Sequence, residues 1–410
     1  MEDTPMENGE TNEDSEVAPA LISVHPTQSS VAVAAVGSDL RVFDLRGGCA
    51  VSLVDNSGCP LHKDWIRTIR YGADGKLFVS AGDDKTVKIW STESWRCITT
   101  VCSEKRVSAV AISSDGSYVC FADKFGVVWV VDVDLSDGNQ AFVDKKAAPL
   151  LSHYCSIITS LEFSPDGRFF VSADRDFKIR VTVFPKKPLD EAHEIQSVSL
   201  GHTEFVSCLA FVCTQECPQG FLVSGSGDST DISSGSLLNT CNIREKAGLL
   251  ESNGIEECHG AVTDLCTIPD STLVAVAVQR QVVSIEGDAF IPTSLGTSLS
   301  SGLLWIVTGA SNLHDSQYPC MARVKAISGV KETSPDSVGH GPIVLKDAEI
   351  PGGEKLLQKL QGRVSFDDNF FLTAAEALKT SMSNLLIKKQ YSTENREFRK
   401  RTRNDKKLKQ

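Results

Sequence analysis

Apolar residues fall along the chain in short runs of strand length, and none is long enough to cross a bilayer. A representative run, FVSCLAFV at 205–212, is bounded by turn residues on both sides. Other runs are β-branched and follow a tight turn, as in DDKTVKIW (83–90) and DRDFKIRV (174–181). That pattern predicts short, half-buried strands. Asp-Gly pairs in GADG (72–75), SSDG (113–116) and SPDG (164–167) predict hairpin turns joining the first two strands of three successive units.

The units repeat. His62 precedes Asp84, His153 precedes Asp176 and His202 precedes Asp228, by 22, 23 and 26 residues. After each Asp the chain tends to enter a strand, and the Asp residues lie 92 and 52 positions apart, two repeats of about 46 and one of 52. A buried His bridging a turn Asp to a strand Ser or Thr satisfies polar groups inside a packed blade, which is the pattern of a WD40 repeat. Thr86 and Trp90 fill the expected places in the second unit. Weaker units are read at 21–45, 107–132, 262–286 and around 300–309, so the fold class is all-β, a seven-bladed WD40 β-propeller. Seven blades need about 300 residues at the usual repeat length, and the 410 available leave room for tails.

Charge divides the chain. Residues 1–16 hold seven acids and no Lys or Arg, whereas 388–410 hold ten Lys or Arg and three acids. The expected organisation is an acidic disordered tail (1–18), the propeller (19–365) and a helical, basic extension (366–410). The net charge of −12 therefore sits on the propeller, which disfavours strong RNA binding by the propeller alone. AAEALKTSMSNLLIKK (374–389) has helical apolar spacing, and REFRKRTRNDKKLK (396–409) reads as a nuclear-localisation signal or a phosphate-binding arm. The acidic N-terminus lacks the layout of a signal peptide. Thirteen scattered Cys without a CxxC pair predict a reduced intracellular compartment and no metal site, with Cys213 and Cys217 too isolated to hold one.

The fourth unit departs from the pattern. Aligning Asp176 with Asp84 puts Lys178 where Thr86 sits and Thr182 where Trp90 sits, so two members of the polar bridge are missing. Strand alternation projects Lys178, Arg180 and Thr182 to one side, and Phe177, Ile179, Val181 and Val183 to the other. The two cations need anions: an internal network through Asp174, Asp176 or Glu204, or a partner. A second departure follows SGSGDST (224–230), where DISSGSLL predicts a truncated third strand in the fifth blade.

ADKFG (122–126), SPDGRF (164–169), ADRDFKIRV (173–181) and LGHTEFVS (200–207) resemble the WD-repeat, non-catalytic subunit of the eukaryotic tRNA (guanine-N7)-methyltransferase, most strongly over 60–230. The resemblance implies a nuclear heterodimer with a separate Rossmann-fold catalytic subunit. That partner uses S-adenosylmethionine to form m7G, commonly at position 46 of tRNA, and tRNA is met through the complex. It implies that Lys178 and Arg180 pair with acidic groups of the partner, with Arg175, Lys124, Glu204 and Phe205 beside them, while His202 stays a blade bridge.

No catalytic residues, cofactor site or metal site are expected on this chain. It shows no GxGxxG after a strand, and GSGDS (225–229) reads as a blade turn. Guanine N7 is itself a nucleophile, so the chemistry chiefly needs an aligned methyl donor. An alternative function is a substrate receptor of a ubiquitin ligase, resting on VFDLR (42–46), which is similar to an adaptor-docking box centred on Arg46.

Overall fold

The computed structural model describes residues 18–27, 30–36, 38–55, 61–133, 146–153, 156–189, 193–214, 217–228, 230–234, 239–242, 261–268, 273–278, 283–285, 288–290, 292–298, 302–311, 320–330 and 342–361. Both charged tails, with the sequences at 374–389 and 396–409, lie outside them.

The strands are short and antiparallel, and they form separate small sheets. Five sheets have four strands each, at residues 21–50, 66–102, 107–152, 158–200 and 206–242. In each, consecutive strands pair with their chain neighbours. The interval 262–290 contributes two two-stranded sheets, and 294–344 supplies a five-stranded sheet completed by Ala18–Pro19. The first strands of successive units, Leu21–Val24, Ile66–Gly72, Val107–Ile112, Ile158–Phe163, Val206–Val212, Val262–Thr267 and Ser294–Thr297, each touch the next, and the last touches the first. They form a closed ring, the arrangement of a β-propeller.

The Asp-Gly hairpins stand where the spacing placed them. Gly75, Gly116 and Gly167 have φ of 86°, 76° and 69°, a region that L side chains disfavour. In two of these turns the Asp side chain ties the loop: Asp115 accepts from Ser113 Oγ at 2.6 Å and Asp166 from Ser164 Oγ at 2.5 Å. Between the sheets, apolar clusters join one blade to the next, for example Val79, Val87 and Ile89 with Val110, Val119 and Phe121. Each sheet buries its face only against a neighbour, so the ring must close to complete the core.

Closure has two parts. Ala18–Pro19 pairs with Leu304–Ser311, joining the start of the described chain to the sheet latest in sequence, and Thr293 Oγ1 donates to Ala20 O at 2.7 Å. Over the same seam lies a helix, Gly353–Gln361, inside the span expected to be all strand. Leu356, Leu357 and Leu360 are buried in a cluster with Phe43 and Val31 of the first blade and Trp305 and Val324 of the closing sheet. Arg41 Nη1 donates to Leu360 O at 3.2 Å, and Gln361 Oε1 accepts from Val324 N at 3.1 Å.

The fifth blade corrects one expectation. Thr230–Ser234 forms its third strand, paired with Phe221–Ser226 on one side and Asn239–Asn242 on the other. The polar sequence TDISS itself supplies the ladder, because strand pairing uses backbone groups and tolerates polar side chains.

Candidate partner-docking surface

The second blade builds its polar bridge as the sequence predicts. His62 Nδ1 donates to Asp84 Oδ2 at 2.9 Å, and its Nε2 lies 2.8 Å from Ser80 Oγ. Trp90 Nε1 donates to the same Ser80 oxygen at 3.0 Å, and Thr86 Oγ1 donates to Asp84 Oδ1 at 2.8 Å. With Nδ1 protonated, Nε2 accepts from the Ser80 hydroxyl, so a neutral imidazole satisfies every member. Burial pushes the Asp84 carboxyl up, but the bonds from His62 and Thr86 outweigh it and hold the group at about 2. In the fifth blade His202 joins Asp228 at 3.1 Å and Ser224 Oγ at 2.9 Å in the same way.

The fourth blade differs from expectation. His153 Nδ1 donates to Asp174 Oδ2 at 2.8 Å, not to Asp176, and its Nε2 lies 2.7 Å from Ser172 Oγ. The turn register is as aligned, since Lys85 and Phe177 both take positive φ, 63° and 70°. The bridging acid has instead moved two residues back, to the end of the strand Phe169–Asp174, where the second blade has Gly82. The third blade uses the equivalent Asp123, which accepts from Val127 N and from Trp129 Nε1 at 2.9 Å. An acid at the strand end reaches the next strand's first N–H, and Lys178 N donates to Asp174 Oδ1 at 3.0 Å. The bridge is therefore intact without Thr or Trp. Thr182, in the place of Trp90, is too short to join it, and its buried Oγ1 has no hydrogen-bond partner. The strand Ser residues 80, 172 and 224 complete all three bridges. Their signal is the repeated VSAG, VSAD and VSGS.

The cations are thus released from the bridge. Lys178 and Arg180 share one face of the strand Lys178–Val183, half-buried. Arg180 Nη1 donates to Ser152 O of the third blade at 2.8 Å. Among the described residues the Lys178 ammonium makes no hydrogen bond or ion pair. Burial lowers the proton affinity of His153; Asp174 opposes this, and Arg180 and Lys178 add to it. Asp174 is held low, burial being outweighed by His153 and the Lys178 N–H.

Arg175 stands on the turn of this blade and Lys124 on the equivalent turn of the third, with Lys124 exposed. Glu204 is exposed in the loop before the fifth blade, at the same end of the ring. Phe205 is a correction: it is 6 % exposed, and a Cβ added at Gly227 would lie 2.6 Å from its ring. It packs under the turn and has no docking face. In the VFDLR box Phe43 is buried beneath the C-terminal helix and Asp44 Oδ1 accepts from Arg46 N at 2.9 Å to close the turn, while the Arg46 side chain is exposed.

Among the described residues no group of three His, Cys, Asp or Glu side chains is placed to hold a metal ion. No described helix is long and apolar enough to cross a membrane.

Residues 139–290 match the family described as the tRNA methyltransferase TRM82 WD40 domain, and residues 57–91 match the WD domain, G-beta repeat. Similar curated proteins are named tRNA (guanine-N(7)-)-methyltransferase non-catalytic subunit. That of Dictyostelium discoideum is 29% identical, covering 52% of this chain and 46% of the relative. That of Danio rerio is 33% identical (52% and 48%), and that of Homo sapiens 32% (44% and 41%). The chain spans about half the length of these relatives. Among solved structures, U3-55K superposes with TM-score 0.54 at 18% identity, covering 74% of this chain and 92% of the other. The RRP9 WD40 repeats superpose with TM-score 0.53 at 18% identity, covering 71% and 87%. These structures establish the WD40 propeller fold. The chain is a WD40-repeat protein similar to the non-catalytic subunits of tRNA (guanine-N7)-methyltransferase, and the similarity to the TRM82 WD40 domain lies in its residues 139–290.

Proposed function

We propose that this chain is the non-catalytic WD40 subunit of a tRNA (guanine-N7)-methyltransferase, and that it docks and stabilises a separate catalytic subunit. The observation that carries the reading lies inside the matched region: the fourth blade satisfies its own bridge through Asp174, leaving Lys178 and most of the Arg180 donors for an outside anion. Charge-assisted bonds from Lys and Arg to carboxylates are strong when partly desolvated, and they fix orientation. The catalytic subunit binds S-adenosylmethionine and forms m7G, commonly at position 46, so this chain needs no cofactor. Its contribution is preorganisation, which lowers the ordering cost met when tRNA binds. The basic stretch at 396–409 suits nuclear import, and the nucleus is the proposed location.

Co-expression with the organism's guanine-N7 methyltransferase subunit tests the reading. The two chains co-purify and methylate tRNA, whereas Lys178→Glu combined with Arg180→Glu leaves a folded propeller that no longer retains the partner. A retained complex after the double reversal overturns the charge pairing. Failure of the unaltered chain to bind overturns the function.

A further inference from the structure

The outer strand of the fourth blade, Glu194–Leu200, is exposed along almost its whole length and, among the described residues, pairs only with Lys178–Val183. Directly opposite residues share a face of an antiparallel pair. The register sets Leu200 opposite Lys178, Val198 opposite Arg180 and Ile195 opposite Thr182. Regular alternation would send Ile195 to the other face from Val198 and Leu200. A register shift between Val181 and Thr182 leaves Gln196 unopposed and turns Ile195 back. Such bulges re-aim side chains. The result is three aliphatic side chains in a row, 46%, 46% and 73% exposed for Ile195, Val198 and Leu200, alongside the two cations.

The opposite face of the same blade is closed. Ile179 and Val181 pack with Val206, Leu209 and Phe211 of the fifth blade. The apolar row therefore lies outside the propeller's own core, in register with the cationic pair rather than scattered. Isolated exposed aliphatics are ordinary, but an aligned set rimmed by charge marks an interaction surface.

We infer that Ile195, Val198 and Leu200 form the apolar half of the docking surface whose charged half is Lys178 and Arg180. The occupant is a segment of the catalytic subunit that presents aliphatic or aromatic side chains flanked by carboxylates. Charge complementarity selects it: the aliphatic row supplies burial and the cations demand acids beside it. The inference rests on the proposed function, since it names what that surface binds.

The test uses the full chain with its catalytic subunit and three measurements: affinity, melting temperature and mass in solution. Leu200→Ser with Val198→Ser should weaken binding at least tenfold with little change in melting temperature, because Leu200 is largely in water and Val198 nearly half so. Leu200→Ser alone, at the most exposed position, should weaken it severalfold. Unchanged affinity in both variants, with the unaltered chain binding normally, overturns the inference and leaves the function standing. No binding by the unaltered chain overturns both. A dimer of the isolated chain that the double variant converts to monomer overturns it in favour of a second copy as occupant.

Discussion

Arg70 Nη1 lies 2.7 Å from Glu162 Oε1 and also donates to Leu161 O at 3.2 Å, so a side chain of the second blade is tied to the fourth across the innermost strand of the third. The pair stands in the central channel, a cavity of about 620 Å³ also lined by Arg67 and Asp264. Burial raises the Glu162 carboxyl, and Arg70 works against that rise.

Arg70→Met should therefore destabilise the protein by about 1–2 kcal/mol, since it leaves a half-buried carboxylate uncompensated. The sign with pH follows: a folded pKa raised further makes ionised Glu162 a cost that grows as pH rises. Urea unfolding should show a larger loss at pH 8 than at pH 5. Arg70→Met with Glu162→Gln should recover part of it.

The bridge of the fourth blade gives a sharper comparison. Asp174→Ala removes the acceptor of a fully buried imidazole and of the Lys178 N–H, and should cost about 2–4 kcal/mol. Asp176→Ala should cost clearly less. Equal losses, measured by denaturant midpoints, would restore the expected His153 to Asp176 pairing.

Acid should unfold the propeller in two stages. His153 has a folded pKa below its ordinary 6.5, so the unfolded chain takes up that proton first and stability falls as pH drops below 6.5. Asp84 and Asp174 have depressed values, and their contribution is lost only below about pH 4, for Asp84 down to about 2. His153→Asn should flatten the first stage without abolishing it, because His25 is depressed too. Stability measured between pH 7 and pH 5 checks this.

The helix over the seam is expected to be structural. Leu356→Ala or Leu360→Ala, each at a site with no exposure, should cost about 2–4 kcal/mol through the cavity left behind. Limited proteolysis should then cut first near the seam.

Much of this was legible in the sequence, for a physical reason. The bridges of the second and fifth blades depend on residue types at fixed spacing, and so do the Asp-Gly hairpins, because local turn geometry dictates both. The fourth blade departs from its spacing because an acid two positions earlier makes the same bond from a strand end, and spacing alone does not separate Asp174 from Asp176. The burial of Phe205 is not legible because a motif gives position along the chain but not depth. The helix at 353–361 is only half legible: Leu356, Leu357 and Leu360 have helical spacing, but its partners lie on sheets distant in sequence. The aligned row of Ile195, Val198 and Leu200 was hidden by the bulge at Gln196, since strict alternation assigns these residues to opposite faces.

The seam carries a consequence for how the protein is made. The strand at Ala18 has its partner near residue 310, and the helix that covers the joint ends at Gln361. A chain emerging from the ribosome therefore holds its earliest blade with an open flank through most of synthesis. Only the last described residues shut it. Blades 2 to 4 can bury their shared faces much sooner, so the proposed docking sector can be in place while the ring is still open, and a partner arriving then would meet a finished surface on an unfinished molecule.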